Sequence, residues 1–588
     1  MLGIPGNNLP VSFRRSYIWL VFIGILTCYA FLIVPTVDRL GIGWDEATDF
    51  EIAQKYRTPW GLLLGSTRDP SQVRLPMFIG ALGFYVWGES DLLLARYLTV
   101  LIGGLTLLGI FVYGKDRFSP AIGLLAAGLL AINPFFLSFA RMAFTESDIY
   151  LSCTLTWLLV ILSRLQEKSS LGWAVLAGIC LGLAISSKAT MLLVVPVVVA
   201  SYLLRQIFPL KTAVACRMSA LRLVPVHSIW FLSTAAFLAL AAGVLISWHL
   251  NLGAYSGWFH VLNYSLVWSC WLAVLAWAVR DRASTVFPIA LSAFIVSVGL
   301  LTFIVIPPEH LTNSAILHEL ISRADQEMTF NPGFMMELAA LHFFTVFLKS
   351  TPVLGLGLLA GYVVSLMQWR RPGLTLPLLI GTAYLFALLV LPLGQTFYTI
   401  PLLPVFSLLA AVQLVRLISK TWRISLTLIV LGLILWSVEV ILCYPDYHLN
   451  GYQWLGARPF FGRSSIGYRS IVYLPSDGVQ QSMEWVDQHA KAGEIVQMYV
   501  GPWHIVRALA PDPAYQIVNG LSDRSVSRPD YIMMEINSTL WPGGGSDTLE
   551  GSVFRYPVNV NMLHSEYEKV FSVQRAYGIE MASVWKRK

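Results

Sequence analysis

Repeated long apolar runs constrain the fold of this chain more than any other feature of its sequence. Each run is roughly 17–23 residues long, the length at which an α-helix crosses a bilayer, whereas barrel strands would alternate in segments of about ten residues. Only 12% of the 588 residues are charged, and the mean hydropathy is +0.66. Because about a quarter of a soluble domain is charged, the sequence predicts a polytopic α-helical membrane protein.

Basic residues between the runs orient the chain. Arg14 and Arg15 precede the first run, and most later loops on that side carry Lys or Arg. Cytoplasmic loops carry such an excess, so we expect a cytoplasmic N-terminus. Residues 171–204 have basic residues on both flanks and therefore cross twice, with Lys188 at the outer turn. The assignment gives about 13 helices within a membrane domain of residues 1–443.

The apolar runs give approximate bounds for eight of these spans. They are expected near residues 17–37, 91–114, 121–136, 148–164, 351–368, 374–391, 401–414 and 424–443. A long outer loop, residues 308–342, is expected to carry an interfacial helix.

Beyond residue 443 the composition becomes that of a soluble domain. Strand-like runs occur at residues 471–474, 494–500 and 531–536, and a helical stretch lies near residues 479–490. Because the last span ends on the outer side, we expect residues 444–588 to form a small extracytoplasmic α/β domain.

The first outer loop, about residues 38–90, begins with a cluster of acids. Asp45, Glu46, Asp49 and Glu51 follow the first span within a few residues. A charge at the bilayer centre costs about 2.5–3.5 kcal/mol on insertion scales, so these carboxylates are predicted to lie at the outer membrane surface. A solvated loop is the simplest interpretation of such a cluster.

The topology brings further polar residues to the same face. They are Arg96 in the second span, Arg141, Glu146 and Asp148 between the third and fourth spans, Lys188, Lys349 and Tyr398. Any one charge near a helix end could simply extend to the interface. Together they predict an acid–cation arrangement around an outer cavity.

This combination of charges suggests group transfer from an anionic, lipid-linked donor. Cations would bind a phosphate and stabilise the charge that develops as it leaves. Phosphate leaves without a proton, so one carboxylate acting as general base on the acceptor hydroxyl suffices. Hydrolysis of a glycoside would instead need a flanking pair of carboxyl groups. The pattern favours sugar transfer.

An ordered set of short motifs resembles the GT-C glycosyltransferases, in particular the branch of protein O-mannosyltransferases and ArnT-like aminoarabinose transferases. The motifs are Trp44-Asp45-Glu46-Ala47, Ala95-Arg96-Tyr97, Phe139-Ala140-Arg141 with Thr145-Glu146, Ser187-Lys188-Ala189 and Tyr398-Thr399-Ile400-Pro401. The resemblance covers the membrane region.

The resemblance implies an inverting transfer from a polyprenyl-phosphate sugar. It assigns Asp45 as general base, Glu46 as the second acid of the first loop and Glu146 as a further acid. The donor-phosphate residues expected from position and resemblance are Arg96, Arg141, Lys188, Lys349 and Tyr398. Arg96 and Lys188 have a structural ion pair as their alternative role.

Two positions depart from the family pattern. Phe397 stands where an Arg commonly precedes the tyrosine, so one donor-phosphate cation is replaced or missing. Arg74-Leu75-Pro76 replaces the usual Pro-Pro or His-Pro pair, which implies different contacts to acceptor or donor.

Some members of the family carry a divalent ion near the acids. Asp45, Glu146 and Asp148 could supply hard oxygen ligands, and His249 or His260 would favour zinc. No other cofactor is expected.

The expected partners are a polyprenyl-phosphate-linked sugar, membrane lipid and a protein, lipid or glycan acceptor. Nucleic acid is excluded because the Lys and Arg residues are spread over short loops. The topology favours a prokaryotic plasma (inner) membrane with the active side facing out. A transporter or flippase for a lipid-linked glycan is the alternative function, although the charges cluster at one face and not at midplane. A structural or interaction protein, with the membrane part as anchor, would not need so many spans.

Overall fold

In the computed structural model, the apolar helices lie in two stretches of the chain, one before residue 192 and one after residue 331, and a sheet lies near the C-terminus. The described residues are 11–40, 46, 49–50, 53–54, 74–143, 148–167, 171–188, 191, 332–369, 371, 373–390, 396–420, single positions between 427 and 447, 478–499, 513–520, 528–535, 563, 565–574 and 580–588. The predicted spans between residues 192 and 331 lie outside this part of the chain.

Apolar helices make up the membrane part. In chain order they are α1 (Val11–Ile33), α2 (Arg74–Trp87), α3 (Leu92–Arg117), α4 (Pro120–Ala131), α5 (Pro134–Ala140), α6 (Asp148–Glu167), α7 (Leu171–Ser187), α8 (Pro332–Lys349), α9 (Pro352–Met367), α10 (Thr375–Val390) and α11 (Leu403–Lys420). Short 3-10 helices, Val34–Thr36 and Thr396–Leu402, follow α1 and precede α11.

Helix length and composition fit a membrane protein. Among the described residues, 4 helices are long and apolar enough to cross a bilayer, or up to 5 when the bent pair α4–α5 counts as one span. The helices α3, α6, α9, α10 and α11 occupy the predicted positions. A polytopic helical protein is thereby confirmed, and the count of 13 spans stays a prediction.

Helix α6 is the centre of the helical part. Of its most apolar 18 residues 89% are buried, against 17% in the apolar stretch that includes most of α1. Helix α6 packs against α3, α7 and the 3-10 helix Thr396–Leu402. Its first residue, Asp148, therefore begins in the interior of the protein.

The predicted third span, residues 121–136, is wrong as a single straight helix. The chain breaks at Asn133, and α4 and α5 are bent by 67° relative to each other. Pro134 cannot donate a backbone hydrogen bond and pushes the preceding residue out of the helical region. Asn133 accordingly has φ −77° and ψ 114°, and its side chain caps α5. The helix then continues to Ala140, where a loop was expected.

The outer loops also contain more helix than their polarity indicated. Helix α2 lies within the first outer loop, and α8 begins within the loop of residues 308–342, where an interfacial helix was predicted. Glu46 and Asp49 are buried, at 0% and 8% exposure, so the interpretation of this stretch as a solvated loop is wrong for these two residues.

Close backbone contact holds α3 against α4. A Cβ atom at Gly123 would lie 2.5 Å from the Phe111 carbonyl oxygen and 2.7 Å from the Lys115 nitrogen, whereas at Gly128 in the same helix the nearest atom would be 4.0 Å away. Small residues at such positions let membrane helices pack closely.

We expect Gly123→Ala to lower the midpoint of thermal unfolding in detergent, because a clash with backbone destabilises by about 1–3 kcal/mol. Gly128→Ala is the matched control and should be neutral or stabilising, because alanine is the better helix former. Equal midpoints for the two variants would contradict the packing described.

A mixed five-stranded sheet forms the described part of the C-terminal region. Its elements are α12 (Val479–His489), β1 (Ile495–Tyr499), β2 (Gln516–Asn519), β3 (Tyr531–Glu535), β4 (Tyr567–Gln574) and β5 (Glu580–Arg587). The strand order is β2-β1-β3-β5-β4, with β1 parallel to β2 and β3, and β5 antiparallel to β3 and β4. The predicted helix and two of the predicted strands are confirmed; the third, residues 471–474, lies outside the described residues.

Candidate active site

The acidic first loop is tied to the interior by Glu46. Glu46, Asp49, Phe50 and Ala53 are helical and recur at the spacing of one helix face. Phe50 packs edge-to-face on Phe84 of α2, and Ala53 belongs to a buried cluster that includes Ala143. The acids Glu46 and Asp49 share this spacing with Phe50 and Ala53, so both acids are turned inward with the apolar residues.

Glu46 and Arg96 form a buried bidentate ion pair. The Arg96 Nε and Nη2 atoms donate to Glu46 Oε1 and Oε2, each at 2.8 Å. The Arg96 side chain is 3% exposed and the Glu46 side chain 0%. Paired, parallel N–H···O bonds of this kind are the strong form of the arginine–carboxylate contact.

Backbone groups form further hydrogen bonds with both members of this pair. Arg96 Nη1 donates to the carbonyl oxygens of Val37 and Leu40, both at 2.9 Å. The Ala143 amide donates to Glu46 Oε1 at 2.7 Å. The pair thus joins the end of the first span, the first loop, α3 and the segment after α5. For Arg96, this geometry favours the structural alternative over a donor-phosphate role.

A second buried ion pair lies at the start of α6. Lys188 Nζ, directly after α7, donates to both carboxylate oxygens of Asp148 at 2.8 Å. The same ammonium lies 3.7 Å from the centroid of the Tyr398 ring, a cation–π contact. Lys188 and Tyr398, which were predicted as separate outer-face residues, are therefore neighbours at one site.

Arg141 is a fully buried cation at the end of α5. It is 1% exposed; its Nη1 donates to the Thr36 carbonyl oxygen at 3.3 Å, and its guanidinium lies 5.3 Å from the ring centroid of Tyr447. Tyr447 in turn donates through its hydroxyl to the Leu32 carbonyl oxygen of α1 at 3.1 Å. These contacts hold the Arg141 guanidinium beside the C-terminal end of α1.

Lys349 is the last residue of α8 and is also buried, at 6% exposure. Its neighbour Ser350 accepts a hydrogen bond from Asn133, the residue that caps α5. Lys349 is therefore next in sequence to the residue that is bonded to the start of α5.

Other predicted site residues lie outside the described residues. These are Asp45, Glu146, His249 and His260. Within the described part of the chain, no three His, Cys, Asp or Glu side chains converge as a metal site. Asp148, a metal candidate, has both oxygens on Lys188 and would have to exchange that ammonium for the ion.

Three contributors to this region did not emerge from the sequence analysis. Asn133 and Ser350 form a buried polar link, and Tyr447 packs over Arg141. The dipeptide Asn133-Pro134 was the available signal, because asparagine before proline is typical of a helix break with a new N-cap. Ser350 and Tyr447 had no signal, because their partners are far away in sequence.

Residues 74–230 match the sequence model of the dolichyl-phosphate-mannose-protein mannosyltransferase family. This region carries the site residues Arg96, Arg141, Asp148 and Lys188 described above. The match identifies a GT-C glycosyltransferase region in the chain and confirms the predicted enzyme class, a membrane glycosyltransferase. A search of curated protein sequences gives no significant match.

Two groups of solved structures are similar over most of the chain. ArnT from Cupriavidus metallidurans bound to undecaprenyl phosphate has 13% identity and a TM-score of 0.47, with 98% of both chains covered. The oligosaccharyltransferase AglB from Archaeoglobus fulgidus, in complex with an inhibitory peptide and a dolichol-phosphate, has 15% identity and a TM-score of 0.44, with 90% of this chain and 70% of that chain covered.

Proposed function

We propose that this protein transfers a sugar from a polyprenyl-phosphate donor to an acceptor hydroxyl, with inversion, at the extracytoplasmic side of the membrane. The donor class is supported by the family that residues 74–230 match, whose name specifies a dolichyl-phosphate sugar. The observation that carries the proposal is the buried Glu46–Arg96 pair, capped by the Ala143 amide, because it anchors the acidic first loop beside a group of buried cations.

The adjacent acids of the first loop, Asp45 and Glu46, are assigned different roles. Glu46 already accepts hydrogen bonds from Arg96 and Ala143 through both oxygens, so taking a proton would break a buried ion pair. Asp45 immediately precedes it in the sequence. We therefore assign Asp45 as general base, Glu46 and Arg96 as the pair that positions the loop, and Glu146 as a further acid of the site.

The donor phosphate is assigned to the buried cations. Arg141 is buried at the end of α5, and contacts with the Thr36 carbonyl oxygen and the Tyr447 ring hold its guanidinium in place. Lys188 is held in place by Asp148 and the Tyr398 ring. Together with Lys349, these residues would stabilise the charge that develops on the leaving phosphate, and in a low-dielectric site such stabilisation is large.

The reaction is a single displacement at the anomeric carbon. The acceptor oxygen bonds to that carbon while the carbon–oxygen bond to the phosphate breaks, and its electron pair stays on the leaving prenyl phosphate. The acceptor proton passes to Asp45. No general acid is needed, because the phosphate leaves as an anion. Attack from the face opposite the leaving group inverts the configuration.

The proposal extends to organisation and location. Residues 1–443 form the membrane domain that holds the reaction, and residues 444–588 form the outer α/β domain. Both the site and the outer domain face away from the cytoplasm, across a plasma membrane. The acceptor class is a protein, lipid or glycan.

We expect purified protein in lipid nanodiscs to release prenyl phosphate from one member of a panel of polyprenyl-phosphate sugars. Following the released prenyl phosphate requires no knowledge of the acceptor, and a cell extract can supply acceptors. An identical preparation heated above its unfolding midpoint is the control. Failure to turn over any donor with extract present would contradict the proposed function and favour the transporter alternative.

A further inference from the structure

Helix α5 is a short helix that connects the break at Asn133 to the segment that carries Arg141 and Ala143. Its seven residues, Pro134–Ala140, are all buried. Any rotation or shift of this helix would displace the Arg141 guanidinium and the Ala143 amide together. Because the Ala143 amide binds Glu46, such a shift would also reach the acidic first loop.

One buried side-chain link holds the start of α5. Asn133 Oδ1 accepts from the amides of Phe135 and Phe136, at 2.9 and 3.4 Å. This fixes the orientation of the amide group, so Nδ2 is the atom that faces Ser350 and donates to its Oγ at 3.0 Å. Both residues are 0% exposed. The link spans 217 positions of sequence, so it cannot be a by-product of local structure.

The turn that carries Ser350 is rigid. Thr351, the next residue, has φ 70° and ψ 145°, a conformation that non-glycine residues rarely adopt. Strain of this kind persists only where the surroundings over-determine it, and it concentrates at functional sites. A Cβ atom at Gly355 would lie 2.5 Å from the Phe347 backbone, so α8 and α9 are in contact on both sides of the turn.

The same turn begins with Lys349, a cation assigned above to the donor phosphate. The Asn133–Ser350 link therefore joins the two segments that present Arg141 and Lys349. The link connects this turn, which begins with Lys349, to α5, which is followed by Arg141. It therefore sets the distance between the two cations.

We propose that Asn133 and Ser350 are positioning residues, which fix α5 against the α8–α9 turn and so set the spacing of Arg141 and Lys349 for the donor phosphate. This inference rests on the proposed function. Positional errors near 1 Å can reduce catalysis by as much as 10²-fold. Loss of one link in a still-folded protein should have a smaller effect, because α5 keeps its contacts.

The test compares Ser350→Ala, Asn133→Ser and the double variant. Serine retains the N-cap of α5 but lacks the amide that reaches residue 350. Each single variant should lower kcat for donor turnover about tenfold with little change in KM, because the lipid chain of the donor is still bound. The double variant should be no worse than either single one, since all three lack the same link.

Tyr362→Phe is the matched control. It removes another hydrogen bond between helices, the part-buried contact of 2.9 Å between the hydroxyls of Tyr362 in α9 and Thr382 in α10. The Tyr362–Thr382 bond is expected to be equally strong in the ground state and the transition state. Its loss should therefore leave kcat within about twofold of the wild type. Equal losses of kcat in Ser350→Ala and Tyr362→Phe would overturn the proposal, as would additive losses in the double variant.

Hydrogen–deuterium exchange separates this inference from the proposed function. In nanodiscs, the amides of residues 135–143 should exchange faster in Ser350→Ala than in the wild type, and their exchange should be unchanged in Tyr362→Phe. Unchanged exchange in Ser350→Ala would overturn the positioning role whatever the activity. Faster exchange in a protein that turns over no donor would retain the structural link and contradict the proposed reaction.

Discussion

Asp45→Asn should lower the release of prenyl phosphate by roughly 10²-fold or more, because the acceptor hydroxyl loses its general base. Asparagine retains the size and hydrogen-bonding shape of the side chain but cannot accept the proton. The loss should appear in kcat, since we assign the donor phosphate to cations other than this residue. Donor turnover and the KM for the donor, measured side by side, check this expectation.

Two further variants make the assignment specific. Asp45→Glu restores a base with a longer reach and should recover part of the activity. Glu146→Gln removes another acid assigned to the site without touching the first loop. A protein in which Asp45→Asn turns over donor as fast as the wild type, while Glu146→Gln does not, would move the base to residue 146. Unchanged thermal unfolding of each variant shows that the comparison is between folded proteins.

Hydropathy and charge were sufficient to predict the helical spans near the site. The apolar runs that became α3, α6, α9, α10 and α11 lie where the sequence placed them. The basic inner loops also fixed which ends share a face, so Arg96, Lys188 and Tyr398 were expected on one side. The contacts of Lys188 with Asp148 and Tyr398 agree with that expectation.

Pairing within that face could not be predicted. Glu46 and Arg96 are 50 positions apart and Asp148 and Lys188 are 40 apart, and several cations at the same depth were equally plausible partners for each acid. That Glu46 and Asp49 turn inward depends on the helical phase of the segment that carries them, which a short polar stretch does not reveal. Burial of Glu46 is thus a tertiary outcome, produced by Arg96 and the Ala143 amide together.

In the C-terminal sheet, too, some elements were predictable from the sequence and others were not. Strands β1 and β3 were predicted because they are mainly apolar runs, with Gln497 within β1 and Glu535 at the end of β3, and both have a neighbouring strand on each side. Strand β2 has four residues, and β4 mixes charges with apolar residues because it is an edge strand. Edge strands expose one side to solvent and carry charge for that reason, so periodicity alone does not identify them.

Breaking the Glu46–Arg96 pair should be the most destabilising single change in the described part of the site. Arg96→Met leaves the Glu46 carboxylate buried without its guanidinium, and removing one partner of a buried pair destabilises by about 3–5 kcal/mol. We expect a large fall in the thermal unfolding midpoint and loss of donor turnover. Arg96→Lys should rescue little, because an ammonium cannot reproduce two parallel bonds to Glu46 and two to the Val37 and Leu40 carbonyl oxygens.

A double-variant cycle distinguishes the pair from two independent residues. Glu46→Gln with Arg96→Met removes both charges, so the combined destabilisation should be smaller than the sum of the single ones. The control is Glu167→Gln at the end of α6, which breaks a half-exposed contact with Arg117, at the end of α3 far from Arg96 in sequence, and should cost no more than about 1 kcal/mol. The double variant should regain stability but not turnover, because Asp45 would then lack the anchored loop that positions it. Additive destabilisation, or full activity in the double variant, would contradict the role of this pair as the frame of the active site.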